Sequence, residues 1–428
     1  MILHFDRDET LTFEVLPPLY LPFYNKWSAN AYTTYEPFDL DPFNHRAVST
    51  SGSPVVLAGE KFFGFLNERG GRFTYDGSYT LSIFCPAGQA LYVDEHCNPY
   101  DAWRAYSETV LADETLNKPV PAQPFWSGLE FCTWVDQKNK AVRAGSRDMW
   151  SQLNEQYVYD YMKRVEKLGL PKGKLTIDDG WDIRYAPDGR MCYGNWQINR
   201  EKFPHMEQLV KDMTEEGFIP GLWFAPFTFT PNCELAKKYP HLIGDTFSEN
   251  AEGEAVRQLM FIHPDPVLEA YYTDIFTTYI GMGFRKFKLD MSYGTKREMK
   301  ELLAMMYRVI KSINPAVEVE AHIPDIFVSR YCDTVRINDV SLEHPWRAVT
   351  TEHYRVCRNS SPDRILNLDH LGTNTPDPDE NGFMAHSKML LKLDGGYPCV
   401  SLLPDIFSQK SADTYVGLVR EWVDKHSK

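Results

Sequence analysis

The pattern of apolar and polar residues changes partway along the chain. Up to about residue 116, short runs rich in β-branched and aromatic residues, such as "TLTFEV", "RFTYDGSYTLSIFC" and "ALYVDE", are separated by Gly, Asp and Pro. Runs of this kind with turn residues between them are typical of antiparallel β-strands. We therefore predict a β-sandwich-like domain over residues 1–116. Residues 117–128 carry three prolines and are predicted to form a linker.

From residue 129 onward, apolar runs of strand length alternate with amphipathic segments of helix length. Eight such units within about 300 residues are the pattern of a (β/α)8 TIM barrel, which we predict for residues 129–428. An open, doubly wound sheet is the alternative, but no glycine-rich phosphate turn follows any of the runs. The strand candidates are residues 129–134, 174–180, 219–227, 284–291, 317–322, 334–339, 365–370 and 397–403.

The net charge and the cysteine spacing exclude several kinds of partner and predict a cellular compartment. The formal net charge of −14 argues against nucleic acids and anionic membrane surfaces as partners. The N-terminal residues lack the basic and apolar regions of a signal peptide, and no apolar run is long enough to span a bilayer. The eight cysteines have no metal-binding or small-scaffold spacing, so we expect free thiols. Together these features predict a soluble, cytoplasmic protein.

The predicted barrel strands end in carboxylates and aromatic side chains. In a barrel these ends form one mouth, where active sites lie. Carboxylates that converge there repel one another unless cations or hydroxyl-rich ligands lie between them, and Lys288 and Arg336 are the predicted cations. The strand-end candidates are Trp134, Asp136, Asp178, Asp179, Trp181, Trp223, Phe227, Lys288, Asp290, Glu320, His322, Arg336, Asp339, Asp369 and His370.

Two chemistries fit a mouth lined with carboxylates. A metal site needs closely spaced ligands, but His322 and His370 are isolated and form no HxH or HxxxD pair, so we expect no metal and no other cofactor. Glycoside hydrolysis needs one ionised carboxyl and one that carries a proton. The strand ends supply both, with further carboxylates for sugar hydroxyls and an aromatic floor. The predicted partner is therefore an oligosaccharide or glycoside substrate.

The motifs also resemble a known family. The stretch "GNWQINREKFPHMEQLVKDMTEEGFIPGLWFAPF", preceded by "IDDGW" and followed by "FKLD" and "CDTVRIND", is similar to the α-galactosidases of glycoside hydrolase family 36, which shares a clan with families 27 and 31. The matching blocks occur in the family's order from about Trp126 to the end of the chain. The resemblance implies a retaining exo-α-glycosidase, most specifically an α-galactosidase that hydrolyses terminal α-galactosides by double displacement.

The resemblance also implies roles for individual residues. Asp290, in the KxD position, is expected to be the nucleophile, and Asp339 the acid/base. Asp178 and Asp179 match the pair that holds sugar hydroxyls, and Lys288 is expected to keep Asp290 ionised. Members of the family often oligomerise, so a homo-oligomer is a further expectation. The remaining expected substrate contacts are Trp134, Trp181, Trp223, His322 and Arg336.

Two departures from the family pattern leave alternatives open. Arg336 and Asp339 are three residues apart instead of four, which on a continuous strand would turn the second side chain to the other face. Glu343 and Asp333 are therefore alternative acid/base candidates. The segment "EAHIPD" replaces a glycine-rich or cysteine-bearing segment near C2 of the sugar, so His322 is a candidate for a different preference there.

These departures keep other functions in view. The same mechanism on an α-N-acetylgalactosaminide, a β-L-arabinopyranoside or an α-glucoside is one alternative. A catalytically inactive glycan-binding barrel and a metal-dependent barrel hydrolase are the others. The pattern also predicts that the chain ends with the last barrel helix, without the C-terminal β domain of the family.

Overall fold

The structure, a computed structural model, describes the chain from the first residue to residue 426 with several gaps. The described residues are 1–15, 19–20, 48–52, 55–76, 79–95, 98–184, 192–249, 257–262, 265–291, 296–337, 339–343 and 345–426.

Two antiparallel sheets enclose one apolar core in the N-terminal region. Their strands are β1 (Ile2–His4), β2 (Glu9–Glu14), β3 (Leu19–Tyr20), β4 (Val48–Gly52), β5 (Val55–Ala58), β6 (Lys61–Phe65), β7 (Gly71–Tyr75), β8 (Thr80–Cys85) and β9 (Ala90–Asp94). One sheet has the order β1-β9-β6-β5-β3 and the other β2-β8-β7-β4. Alternating residues of both sheets, among them Phe63, Phe73 and Ile83, form the shared core. The predicted sandwich-like arrangement is confirmed.

A helix that the sequence pattern did not indicate connects this region to the barrel. Helix α1 (Pro99–Leu111) begins after Asn98, whose side chain accepts a hydrogen bond from the backbone N of Tyr100 at 3.0 Å. Its buried face, which includes Tyr106, belongs to a cluster that also contains Phe327 from the barrel. The sheets are therefore fixed to the barrel by apolar contact. The domain boundaries at residues 116 and 128 remain predictions.

Eight parallel strands close into a barrel, as predicted. The strands of this part of the chain are β10 (Glu130–Cys132), β11 (Lys174–Ile177), β12 (Ile219–Phe224), β13 (Thr228–Phe229), β14 (Ile243–Glu249), β15 (Arg257–Ile262), β16 (Lys286–Leu289), β17 (Glu318–Ala321), β18 (Thr334–Arg336), β19 (Ile365–His370) and β20 (Gly396–Val400). The barrel order is β10-β11-β12-β16-β17-β18-β19-β20, closed by pairing of β20 with β10. Strands β13, β14 and β15 form a separate antiparallel sheet. Most barrel strands are shorter than predicted because the apolar runs include residues of the loops that follow.

Helices surround the barrel. They are α2 (Trp134–Arg143), α3 (Glu155–Leu168), α4 (Met206–Glu215), α5 (Glu234–Lys238), α6 (Pro266–Met282), α7 (Lys296–Ile313), α8 (Trp346–Ser360), α9 (Glu380–Leu390) and α10 (Gln409–His426). Helix α3 begins later than the predicted residue 148, because Asn154 caps it by accepting a hydrogen bond from the backbone N of Tyr157. Among the helices described, none is long and apolar enough to cross a membrane.

The barrel interior below the mouth is charged. Lys286 pairs with Glu130 and, at 2.6 Å, with Glu320, and all three side chains are buried. Asn367 donates hydrogen bonds to both carboxylates, at 3.0 and 2.8 Å. Glu320, which the strand-end pattern placed at the mouth, therefore lies in this interior layer. Since buried charges are tolerated only when they are paired and hydrogen-bonded, the network ties several strands together directly beneath the site.

Candidate active site

Residues from three other strands hold the carboxylate of Asp290 in the mouth. Its Oδ2 accepts a hydrogen bond from Nε1 of Trp223 at 3.0 Å, and its Oδ1 accepts one from the backbone N of Met291 at 2.6 Å. Nδ1 of His322 lies 3.1 Å from Oδ1, and Nη2 of Arg336 lies 3.8 Å from Oδ2. The Asp290 side chain keeps 17% of its surface exposed, so the carboxylate is fixed and still accessible.

The backbone turns sharply directly after this carboxylate. Met291 has a φ of 55°, in the left-handed region that a residue with a side chain rarely adopts. The turn brings the N–H of Met291 back onto Oδ1 of Asp290. Backbone strain of this kind persists where the surroundings enforce it, and it is common at functional sites.

Electrostatics keep Asp290 ionised. Burial alone would raise the pKa of Asp290, but His322, Arg336 and Lys288 outweigh burial and lower it to about 2. The pKa of His322 is itself lowered, to about 4, by burial and by Arg336, so the imidazole is neutral near pH 7. The two permanent cations therefore hold the charge on Asp290 at neutral pH.

Lys288 makes its direct ion pair with Asp178. Its Nζ lies 2.7 Å from Oδ2 of Asp178, and Sγ of Cys132 donates to the same oxygen at 3.1 Å. The backbone N of Asp179 donates to Oδ1 of Asp178 at 2.8 Å. Burial raises the pKa of Asp178, with Lys288 opposing that shift. Lys288 therefore lowers the pKa of Asp290 through space and not through a direct ion pair.

Asp179 lies in a polar pocket completed by a residue that the sequence pattern did not indicate. Arg184 contacts Oδ1 of Asp179 and donates to Asp182 at 2.8 Å. Nε1 of Trp150 donates to Oδ2 of Asp179 at 2.8 Å. The guanidinium carbon of Arg184 also lies 3.9 Å from the ring centre of Tyr193. The sequence pattern did not indicate Arg184, because its contact with Asp179 depends on how the backbone folds between these two residues.

Arg336 connects Asp290 to a pair of carboxyls near the ends of β18 and β19. Its Nη1 lies 2.7 Å from Oδ1 of Asp339 and 2.5 Å from Oδ1 of Asp369, while its Nη2 lies 2.9 Å from Nδ1 of His322. Asp339 reaches Arg336 despite the three-residue spacing because β18 ends at Arg336, so strand alternation no longer applies. The structure thus brings together Asp290, Arg336 and Asp339 as the sequence predicted.

Asp339 and Asp369 titrate as a pair. Burial disfavours ionisation of both, and two carboxyls beside one cation do not ionise independently. Arg336 outweighs burial at Asp339 and lowers its pKa, whereas the pKa of the more deeply buried Asp369 is raised well above its ordinary value. The exposed side-chain fractions are 33% for Asp339 and 6% for Asp369. Protonation is therefore favoured on Asp369 over Asp339 in the unliganded protein.

Trp181 and Trp134 are the two other tryptophans that were predicted to contact the substrate, and their surroundings differ from those of Trp223. Trp181 is completely buried, and its Nε1 donates to the backbone O of Trp223 at 2.8 Å, so it supports the residue that holds Asp290. Trp134 is the first residue of α2 and is partly buried against the barrel core. Trp181 therefore cannot reach a ligand in this arrangement, whereas Trp134 retains exposed surface near the mouth.

The alternative acid/base candidates fit less well than Asp339. Asp333 precedes β18, at the end of the barrel opposite the mouth, and pairs with Lys311 at 2.6 Å. Glu343 is exposed and accepts a hydrogen bond from Thr375 at 3.2 Å. Asp333 is thereby excluded by position, and the described contact of Glu343 is with Thr375 instead of Arg336 or Asp290.

Comparisons with known proteins agree with the sequence motifs. Residues 147–292 match the Melibiase family model. The α-galactosidase AgaA of Geobacillus stearothermophilus is 34% identical over 89 residues, which make up 21% of this chain and 12% of that protein. The match to the α-galactosidase Mel36A of Lactobacillus acidophilus covers 18% of that protein, so the curated relatives are matched over less than a fifth of their length. The resemblance to family 36 α-galactosidases is confirmed.

Solved structures extend the likeness to the whole fold. The α-galactosidase TtGalA of Thermus thermophilus in complex with stachyose has a TM-score of 0.66 at 15% identity, covering 96% of this chain and 93% of that chain. The family 36 α-galactosidase AgaA of Geobacillus stearothermophilus has a TM-score of 0.55 at 13% identity, covering 99% and 62%. At these identities the likeness concerns the fold, a barrel preceded by antiparallel sheets. The family-model match contains Asp178 and Asp290 but ends before Arg336 and Asp339.

The hydrogen bond from Trp223 to ionised Asp290 should contribute to stability in a pH-dependent way. Trp223→Phe keeps a ring but removes the donor, so we expect the free energy of unfolding at pH 7 to fall by about 1.5–3 kcal/mol through this bond. Because the pKa of Asp290 is lowered from 3.8 to about 2, the contribution is complete above pH 4 and is lost as the pH falls towards 2. Urea unfolding over a pH series measures it.

Trp181→Phe is the matched control, since its N–H bonds a neutral backbone carbonyl. Its loss should be smaller, about 0.5–1.5 kcal/mol from the hydrogen bond, and independent of pH. Parallel pH dependence for the two variants would show that the Trp223 bond does not involve an ionised Asp290.

Proposed function

We propose that the chain is a retaining exo-acting α-galactosidase that cleaves terminal α-galactosides by double displacement. The observation that carries this proposal is the ionised, partly exposed carboxylate of Asp290, held in the barrel mouth by Trp223, His322 and Arg336. A carboxylate fixed in this way can attack an anomeric carbon and form a covalent glycosyl-enzyme. The Melibiase match and the α-galactosidase relatives support galactose as the sugar.

Asp339 is the proposed acid/base. It is the more exposed member of the pair with Asp369, and it therefore faces an incoming leaving group more readily. A substrate that covers Asp339 removes water from it, which disfavours its ionised form and draws the proton across from Asp369. Asp339 then protonates the glycosidic oxygen and later activates water. In a retaining enzyme its carboxyl should lie about 5–5.5 Å from that of Asp290.

The remaining polar residues would bind the sugar. Carboxylates of Asp178 and Asp179 accept hydrogen bonds from hydroxyls, the axial 4-hydroxyl of galactose among them, and Lys288 balances the charge of Asp178. His322 contacts Asp290 and Arg336, so we assign it to orienting the nucleophile. Double displacement itself needs no metal or organic cofactor. A cytoplasmic location and a homo-oligomer remain predictions.

A panel of p-nitrophenyl glycosides tests the reaction and the sugar together. The panel contains the α-galactoside, the α-N-acetylgalactosaminide, the β-L-arabinopyranoside and the α-glucoside. We expect turnover of the α-galactoside and a loss of at least about a thousandfold in kcat/KM for Asp290→Ala, or about 4 kcal/mol of transition-state stabilisation. Asp424→Ala, an exposed position on α10, is the control and should retain activity.

The outcomes of this panel separate the alternatives. Turnover of a different member of the panel would replace galactose as the sugar and leave the mechanism in place. Near wild-type activity of Asp290→Ala would exclude Asp290 as the nucleophile. Activity that survives in Asp290→Ala but is abolished by EDTA would favour a metal-dependent hydrolase instead.

Leaving-group dependence tests the acid/base. Asp339→Asn should lose about 10²–10⁴-fold in kcat/KM on an alkyl galactoside, whose leaving oxygen needs a proton, but much less on a dinitrophenyl galactoside. Asp369→Asn should likewise reduce kcat/KM on the alkyl galactoside more than on the dinitrophenyl galactoside, because it removes the carboxyl proton beside Asp339. Glu343→Gln is the matched control and should behave as the wild type. The dependence appearing in Glu343→Gln and not in Asp339→Asn would reverse the assignment.

A further inference from the structure

Two thiols and an imidazole from neighbouring strands converge in the barrel beside the proposed sugar site. Cys132 ends β10, His370 ends β19 and Cys399 lies in β20, and these three strands are adjacent in the closed barrel. One donor atom from each residue lies within 4.8 Å of the other two, and all three residues are buried. The cysteines that the structure describes are free thiols, and Cys97 lies outside the described residues.

Within this cluster, His370 is the residue whose surroundings indicate that a ligand binds. Neither Nδ1 nor Nε2 has a hydrogen-bond partner, although the residue is only 2% exposed. The nearest carboxylate oxygens to Nε2 belong to Asp369 at 3.5 Å and Asp339 at 3.8 Å, at or beyond the limit of a hydrogen bond. A buried polar group without a partner costs about 1–3 kcal/mol. Two such nitrogens on one ring therefore indicate that something else satisfies the imidazole.

We propose that Cys132, His370 and Cys399 bind a zinc ion, with a water molecule in the fourth position. Two thiolates and one imidazole are a known zinc ligand set. Zinc–sulfur bonds of about 2.3 Å and zinc–nitrogen bonds of about 2.0–2.1 Å place tetrahedral ligand atoms about 3.4–3.8 Å apart, which the 4.8 Å limit on their spacing allows. Binding releases the two thiol protons to solvent.

The charges around the cluster are compatible with such an ion. Two thiolates neutralise Zn²⁺, so the occupied site adds no net charge beside Lys288, whose Nζ lies 3.9 Å from Sγ of Cys132. A ligating histidine commonly directs its second nitrogen at a carboxylate, and Asp369 stands on the Nε2 side of His370. Nδ1 is accordingly the nitrogen assigned to the metal.

Zinc binding would affect the proposed sugar site through Cys132, because Cys132 also contacts Asp178. In the structure this thiol donates to Oδ2 of Asp178 at 3.1 Å, and a zinc-bound thiolate has no proton to donate. Asp178 then keeps its ion pair with Lys288 but loses one hydrogen bond, so we expect zinc to change the KM for a galactoside. This coupling rests on the proposed function, whereas the metal content does not.

Metal binding by the full chain tests the proposal. Equilibrium dialysis should give about one zinc per chain, and cobalt substitution should give thiolate-to-cobalt charge-transfer absorption together with the intense visible bands of tetrahedral cobalt. Cys399→Ser should lose the charge-transfer absorption and the stoichiometric zinc. Cys85→Ser, a buried free thiol in the N-terminal sheets, is the matched control and should keep both. Absence of the bands in the wild type, or their persistence in Cys399→Ser, would overturn the site.

A second readout uses only the wild-type chain and so does not depend on whether variants fold. Zinc should slow alkylation of Cys132 and Cys399 at least tenfold, mapped by mass spectrometry, and leave Cys332 unchanged. Equal labelling with and without zinc, or a disulfide between Cys132 and Cys399, would contradict the proposal. Stoichiometric zinc in a chain without galactosidase activity would refute the proposed function and support the metal site.

Discussion

The buried guanidinium of Arg336 is the interaction on which the mouth of the barrel depends. It contacts Asp339 and Asp369 through one nitrogen and faces Asp290 and His322 through another. Burial disfavours ionisation of Asp290, Asp339 and Asp369 alike, but Arg336 helps to lower the pKa of Asp290, to about 2, and that of Asp339, whereas the pKa of Asp369 stays raised. Burial, opposed by one arginine to different extents, thus separates an ionised carboxylate at Asp290 from a carboxyl at Asp369 that favours its protonated form, and double displacement requires one carboxyl of each kind.

The barrel and several residues of its mouth could be predicted from the sequence, because both follow from the local pattern of apolar and polar residues. Parallel strands covered on both faces are continuous apolar runs, and the polar residue that follows each run must lie at the mouth. That reasoning placed Asp178, Lys288 and Asp290 correctly beside one another. It also predicted Arg336 and Asp339 at the mouth, although strand alternation places residues three apart on opposite faces. The rule does not apply there, since β18 ends at Arg336.

What could not be predicted depends on contacts that sequence spacing does not specify. Arg184 and Asp179 are only five residues apart, but their contact depends on the backbone conformation of the residues between them. The thiols of Cys132 and Cys399 are far apart in sequence and meet only because β20 pairs with β10 to close the barrel. Helix α1 was obscured by the aromatic residues that it buries against the sheets and the barrel. In each case the residue types are visible in the sequence, but the spacing that matters exists only in three dimensions.

The central claim is that Asp290 becomes covalently bonded to the sugar. Mass spectrometry of the protein inactivated by a slow fluorinated galactosyl substrate tests it most directly, because fluorine slows hydrolysis of the glycosyl-enzyme. We predict one glycosyl adduct per chain, located on Asp290 after peptide mapping. An adduct on Asp339 or Glu343, or turnover of galactosides without any adduct, would contradict the mechanism.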